Sequence, residues 1–276
     1  MNATRLRRHA FPDGIAMSRE QRARRRAVLS TVDDQLLGQP MVLVNVDARD
    51  SDAAQEIALQ ETRGIVDILN FFADLVPNSP GWIYLAGEAG VENTRSLVVH
   101  QDGGLELPGT LAGPFAELSL KRLRSVPRLR LALHRIDELL RQKQRTGVAD
   151  VLLTSVRWAG RASVEPVREH AFVMYVIALE TLVLPNDAHG MKHRLQTRVA
   201  HLLADTVKER EWFYDRVKEL YELRSDIIHE GAFEVDEVNL GRLRRIVKGC
   251  LLRVLAHRGV RQLSTRRELA RWFDTR

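Results

Sequence analysis

The stretch "AFVMYVIALETLVLP", Ala171–Pro185, is the longest apolar run in the chain, and it decides the fold class. Glu180 is the only charge inside it, so a helix formed here is apolar nearly all round and needs neighbours on most sides. Pro166 suits the first turn of such a helix and Pro185 suits its end. The run therefore predicts a core helix at 166–184 inside an all-α bundle.

Helical apolar spacing continues on both sides of this core helix, and strand patterns end at about residue 120. Gly231 and Gly259 occupy positions typical of helix C-terminal caps. The predicted helices cover 128–144, 148–159, 166–184, 191–204, 208–229, 235–257 and 264–274. We therefore expect residues 128–276 to form a helical bundle.

The first part of the chain has a different pattern. "PMVLVNVDA" at 40–48 predicts a strand, and a helical pattern capped by Ser51 or Asp52 follows it. "WIYLAG" and "RSLVVHQDGGLELPG" predict further strands joined by turns. The sequence thus predicts a mainly α protein, in which an Arg-rich segment (1–30) and a small α+β domain of unknown role (31–127) precede the bundle.

Charge is concentrated at the N-terminus. The net charge is +6, and residues 1–26 hold eight arginines and two acidic residues, which leaves 34 basic and 34 acidic residues elsewhere. A basic segment of this kind either contacts phosphates or is a solvated tail, and the tail is the favoured interpretation. DNA binding through this segment ranks last among the functional hypotheses because no helix-turn-helix pattern accompanies it.

Several common kinds of site are excluded by the sequence. Cys250 is the only cysteine, which rules out an intrachain disulfide and a cysteine-based zinc site. His189 and His193 are four residues apart but lack a third ligand, so we expect a solvated pair rather than a metal site. Phosphate-loop, GxSxG and HExxH motifs are missing. We expect no metal, no cofactor, no secretory signal and no membrane span, in keeping with a cytoplasmic protein.

The stretch "LYELRSDIIHEG", Leu220–Gly231, carries the candidate chemistry, because Arg224 and His229 lie five residues apart near a predicted helix end. On a regular helix that spacing separates the two side chains by about 140°. One interpretation is an ordinary helix end, where the histidine interacts with the helix dipole and Arg224 pairs with a neighbouring acid. The other is a catalytic pair, completed by fraying of the last turn or by a second copy of the chain.

These two residue types suit metal-independent cleavage of RNA by its own 2′-hydroxyl. Histidine titrates near neutral pH and can act as the base or the acid of this transesterification. Arginine stays protonated and can hold two phosphate oxygens as negative charge develops. Two histidines from two chains would supply one base and one acid.

The surroundings of the pair resemble a known family. "ELYELRSDIIHEG" is similar to the R-x4-to-6-H motif of the HEPN superfamily, with a polar residue after the arginine. "VRWAGRASVEPVREHAFVMYVIALETLVLP" and "RLQTRVAHLLAD" resemble, in the same order, segments of the Apea-like HEPN group. The resemblance covers roughly residues 128–262. It implies a helical bundle that dimerises through its motif-bearing helices and, in many members, is a ribonuclease of antiviral defence, abortive infection or toxin–antitoxin systems.

The resemblance also assigns roles to individual residues. Arg224 and His229 take the catalytic positions, and Ser225 takes the polar one. Asp226 is an acidic neighbour able to orient either catalytic group. Glu180 is expected to be a buried partner that fixes Arg224, with Arg198 competing for it.

Further residues are candidates for substrate contact. Tyr221 either belongs to the core or stacks on a base, and the core is favoured. Arg242, Arg245 and Lys248 belong to a basic cluster that is either an RNA-binding surface or an ordinary solvated face. The expected partners are an RNA substrate, a second copy of the chain and an antitoxin or sensor protein. The alternative function is a non-catalytic HEPN module for dimerisation, RNA binding or interaction.

Overall fold

The computed structural model describes positions 19, 47, 49–76, 83, 98–99, 105–106, 124–142, 144–185, 191–230 and 234–276. The chain divides between Arg63 and Gly64 into two units. In the first unit, the longest described segment, 49–63, forms the beginning of one helix. The predicted strands at 40–48 and 82–87 fall outside the described residues, apart from single positions, and the predicted domain boundaries at 30 and 127 stay predictions.

The described part of the chain is mainly helical. Its elements are α1 (Ser51–Ala73), β1 (Val98–Val99), β2 (Leu105–Glu106), α2 (Pro127–Leu140), α3 (Gly147–Val164), α4 (Arg168–Val183), α5 (Met191–Leu203), α6 (Val207–Glu230), α7 (Glu237–Ala256), a 3₁₀ turn (Arg258–Gln262) and α8 (Arg266–Asp274). The seven helices predicted after residue 120 are all present, with ends shifted by a few residues. Helix α6 is described up to Glu230, and Gly231, the predicted stop, lies outside the described residues.

The core forms around α4, as its all-round apolar sequence predicted. Half of its sixteen residues are buried, among them Phe172, Tyr175 and Leu179. Helices α3 and α7 make the main contacts with α4, while α6 packs mainly on α5. The hydrophobic core is continuous from the second half of α1 to α8.

Side-chain caps fix the beginnings of several helices. Thr146, Asp236 and Thr265 each accept a backbone N–H from the first turn of α3, α7 and α8. At α8 the cap is reciprocal, because Glu268 accepts the backbone N–H of Thr265 in return. These short-range signals explain why the predicted and observed starts of α3 and α8 agree within a few residues.

The second half of α1 packs closely on α3 at Gly160. A Cβ atom at this position would overlap the backbone carbonyl of Asp67 and would lie 3.1 Å from the backbone nitrogen of Phe71. Phe71 and Phe72 are fully buried and stack edge to face, with ring centroids 5.3 Å apart. A glycine at 160 therefore allows the two helix backbones to approach each other.

The end of α1 is also held by polar contacts with α7. The Asp74 carboxylate accepts a hydrogen bond from Nε of Arg244, 2.9 Å away, and pairs with the ammonium of Lys248. The same ammonium donates to the Asp74 carbonyl at 2.7 Å. Asp74 is 10% exposed at its side chain, so these cations compensate a nearly buried carboxylate.

The two short strands β1 and β2 pair in antiparallel orientation, with Val98 opposite Glu106 and Val99 opposite Leu105. This pairing agrees with the strand–turn–strand predicted from "RSLVVHQDGGLELPG". The predicted α+β domain as a whole stays a prediction. Among the described residues, every helix is either too short or too polar to cross a lipid bilayer.

Candidate functional site

The candidate residues lie on the second half of α6. This helix places Val217, Leu220 and Leu223 in the core. Tyr221 and Arg224 follow the same stripe but are only half-buried, so they lie where the core meets the surface. The helical period of the sequence thus brings both residues to one edge of the α4–α6 contact.

Tyr221 connects α6 to α4. Its side chain lies beside the carboxylate of Glu180 on α4. Burial and that carboxylate raise the pKa of Tyr221, while the charge of Arg224 lowers it. The ring also packs against the hydrophobic core, in agreement with the core role favoured from the sequence.

Arg224 lies against the ring of Tyr221, with its guanidinium carbon 5.8 Å from the ring centroid. Its Nε is buried and has no hydrogen-bond partner. Within the described part of the chain, no carboxylate forms an ion pair with this guanidinium. A half-buried arginine held by an aromatic ring keeps donor capacity for an external anion such as a phosphate.

The expected direct pairing of Glu180 with Arg224 takes a different form. Glu180 is half-buried rather than buried, because it lies at the edge of α4, and its carboxylate interacts with the Tyr221 side chain. Arg198, the expected competitor for Glu180, is 3% exposed and donates to the Val183 carbonyl at 2.6 Å and to Asp274 at 2.9 Å. Tyr221 therefore lies beside both Glu180 and Arg224, the predicted catalytic arginine.

Position 229 is helical, and α6 continues to Glu230, so the last turn is formed at the backbone level. Positions 224 and 229 are about 140° apart around this helix. The side chain of His229 lies outside the described part of the structure. Of the predicted supporting residues, Ser225 is half-buried and Asp226 is exposed.

The predicted substrate-contact cluster on α7 separates into two groups. Lys248 and Arg244 point to Asp74, and burial together with the charge of Arg244 lowers the pKa of Lys248 to about 7. The Asp74 carboxylate acts in the opposite direction, because it favours the charged ammonium. Since the ammonium contacts Asp74 at the end of α1, it is engaged within the protein. Lys248 is thus placed away from the other predicted contacts.

Arg242 and Arg245 form the second group and line a cavity of about 340 Å³ between α6 and α7. The same cavity is lined by Trp212 and Arg216, which sequence analysis did not single out. The helical spacing of Trp212 with Arg216 (i, i+4) and of Arg242 with Arg245 (i, i+3) was a usable signal for two facing stripes.

Of the two histidines considered as metal ligands, only His193 lies among the described residues. Nδ1 of His193 is 3.0 Å from the Tyr214 hydroxyl on α6. His189 lies outside the described residues. Among the described side chains, no cluster of three histidines, cysteines or carboxylates is arranged to hold a metal ion.

Comparison with protein-family models, with curated proteins and with solved structures finds no match for this chain. The HEPN resemblance therefore rests on the three sequence segments alone.

Proposed function

We propose that the protein is a metal-independent RNA endonuclease of the HEPN type. In this proposal a dimer places two copies of Arg224 and His229 around one phosphodiester. One imidazole takes the proton from the 2′-hydroxyl, and the other protonates the departing 5′-oxygen. The guanidinium groups stabilise the pentacovalent phosphate, and the products are a 2′,3′-cyclic phosphate and a 5′-hydroxyl.

The observation that carries the proposal is the state of Arg224. Its Nε is buried without a hydrogen-bond partner, and no ion pair occupies its guanidinium among the described residues. An arginine that serves only structure is normally satisfied by a carboxylate or a carbonyl, as Arg198 is in the same bundle. Arg224 differs from Arg198 in that its terminal nitrogens form no ion pair or hydrogen bond with a described residue, which leaves them for an external anion, five residues before the histidine of the motif.

The proposal requires a dimer because of where α6 places positions 224 and 229. Because positions 224 and 229 are about 140° apart on a regular helix, one chain does not present both groups on one face. A two-fold axis near the end of α6 would bring the arginine of one chain toward the histidine of its partner. A role in antiviral defence or as a toxin, with an antitoxin or sensor as partner, is the biological setting that the motif implies.

The primary experiment compares His229→Ala with His134→Ala, a matched change at an exposed histidine on α2. Cleavage of a labelled single-stranded RNA is measured with EDTA present. We expect His229→Ala to lose cleavage and His134→Ala to keep it, with unchanged circular dichroism in both. Cleavage that persists in His229→Ala rejects the assignment.

The shared site is tested by mixing. An excess of His229→Ala protein, equilibrated with the wild type, converts most wild-type chains into mixed dimers. If both histidines act on one phosphate, the cleavage activity per wild-type chain falls well below that of the wild-type protein alone. Activity that stays proportional to that content shows that each chain acts alone.

The second candidate function is a non-catalytic binding or interaction module. It is favoured by one observation: outside residues 1–26 the chain carries equal numbers of acidic and basic residues, whereas RNA affinity usually draws on a basic surface. RNA binding without a cyclic-phosphate product, under all conditions in which the dimer is intact, identifies this alternative.

A further inference from the structure

The cavity between α6 and α7, called here the α6–α7 cavity, combines cationic and aromatic side chains. Its lining includes four arginines, Arg216, Arg242, Arg245 and Arg253, and two aromatic rings, Trp212 and Phe213. None of its described lining residues is acidic. Its volume of about 340 Å³ lies within the range of small-molecule sites.

The arginines of the cavity differ in how far they are satisfied. Arg216 pairs with Glu219 at 2.7 Å, yet its Nε is buried without a hydrogen-bond partner. Arg253 donates to the Leu202 carbonyl at 2.6 Å.

The two arginines on the first half of α7 are less engaged. Arg242 makes only a long hydrogen bond of 3.4 Å to Asn239. Arg245 is exposed, and no described carboxylate pairs with it. Arg242 and Arg245 are therefore the two guanidinium groups of the cavity that no described carboxylate neutralises, which is the electrostatic setting that a bound phosphate needs.

Trp212 supplies the second feature. Its side chain is 55% exposed, although it belongs to a folded helix, and it contacts the ring of Phe213 edge to face at 4.9 Å between centroids. That contact leaves a large face of the indole uncovered at the cavity. Removing so much apolar surface from water is favourable, and a planar base is the shape that covers an indole face best.

We propose that the α6–α7 cavity binds a nucleotide unit, whose phosphate lies among Arg216, Arg242 and Arg245 and whose base stacks on Trp212. An aromatic stacking platform beside a cationic groove is the usual arrangement for sequence-tolerant binding of single-stranded nucleic acid. The nucleotide belongs either to an RNA strand or to a free mononucleotide. The inference does not depend on the proposed cleavage, because Arg224 is not among the described residues that line this cavity.

The test uses the full chain and a fluorescein-labelled oligodeoxythymidylate, followed by fluorescence anisotropy. A DNA probe lacks the 2′-hydroxyl, so the proposed cleavage cannot consume it and a failed cleavage proposal leaves this test valid. Trp212→Ala is expected to weaken binding by about 5- to 150-fold, the effect of removing one stacking platform. Trp212→Phe keeps a ring and is expected to lose much less.

The charge contribution is tested by salt dependence. Arg245→Gln is expected to reduce the slope of log Kd against log salt concentration by about 0.7, the value for one lost phosphate contact on a single strand. Arg267→Gln, at an exposed arginine on α8 outside the cavity, is the matched control and should leave the slope unchanged. Equal effects of the two arginine variants, or no effect of Trp212→Ala, overturn the proposal.

Competition identifies the source of the nucleotide. Displacement of the probe by AMP, at concentrations near the Kd of AMP for the protein, supports a free mononucleotide as the ligand. Displacement only by a second oligonucleotide supports a nucleic-acid strand. Inorganic phosphate that competes as well as AMP shows that the base contributes nothing, which overturns the stacking part and with it the assignment. Circular dichroism of each variant confirms that the fold is intact.

Discussion

Helices α4 and α6 differ in how completely the bundle uses them. Half of the sixteen residues of α4 are buried. Of the 24 residues of α6, only Val217, Leu220 and Leu223 are buried hydrophobic residues among those whose side chains the structure describes. An element surrounded by neighbours is free to do little except pack, whereas a peripheral helix can present side chains to a ligand. Two single arginines show a similar difference. Arg198, on α5, is nearly buried, whereas Arg224, on α6, is half-buried.

The largest expected effect is at a tightly packed contact beside α4, where its neighbour α3 meets α1. Gly160→Ala places a methyl group on the Asp67 carbonyl, so α1 and α3 must separate. We expect a loss of about 3 kcal/mol or more in the free energy of unfolding, measured by urea denaturation. Overlap with backbone cannot be relieved by a side-chain rotation, which is why the cost is high.

Gly241→Ala is the matched control, also in a helix, because nothing lies within 4 Å of the added Cβ. It should stabilise the protein by up to about 1 kcal/mol through helix propensity. A Gly160→Ala protein as stable as Gly241→Ala contradicts the close approach of α1 and α3.

A smaller effect is expected at Arg198, the satisfied arginine. Arg198→Met keeps most of the volume but removes the hydrogen bonds to the Val183 carbonyl and to Asp274. Loss of these bonds at a nearly buried site should cost about 1 to 3 kcal/mol in unfolding free energy. The exposed Arg267→Met should stay within about 0.5 kcal/mol of the wild type, and a similar loss in both variants contradicts the anchoring role of Arg198.

The fold and the candidate site were predictable from the sequence to different degrees. The bundle helices follow from apolar periodicity and from caps such as Thr146 and Thr265, which are local signals. The partner of Arg224 was not predictable, because it depends on how α4 and α6 pack, and that packing places Tyr221 beside Glu180. Lys248 was misplaced for the same reason, since its partner Asp74 lies far away in sequence.

Substitution of Arg224 should affect RNA cleavage much more than stability, whereas substitution of Arg198 should affect stability. Arg224→Ala removes a buried Nε that has no hydrogen-bond partner, so unfolding free energy should change by less than about 1 kcal/mol. RNA cleavage should nevertheless be lost, and Arg224→Lys should restore little of it because an ammonium lacks the planar fork. A loss of stability as large as that of Arg198→Met contradicts the idea that this arginine is reserved for a ligand.

The smallest expected effect concerns the start of α6. At its start, Oε2 of Glu209 accepts hydrogen bonds from the backbone N–H of Thr206 at 3.1 Å and from the hydroxyl of Thr206 at 2.9 Å. The bonds from Thr206, and a further one from the Asp205 backbone, lower the pKa of Glu209. Its folded pKa lies below the unfolded value of about 4.3, so the contribution to stability is complete above that pH. It is lost as the pH falls through the lowered pKa.

Glu209→Gln keeps an acceptor oxygen but removes the titrating charge. The urea midpoints of wild type and variant should therefore differ slightly at pH 7 and converge on acidification below about pH 4.3. Glu268→Gln, which changes the equivalent cap of α8, should behave in the same way, because the pKa of Glu268 is lowered by the same kind of contacts. A gap between wild type and Glu209→Gln that stays constant with pH contradicts the capping role.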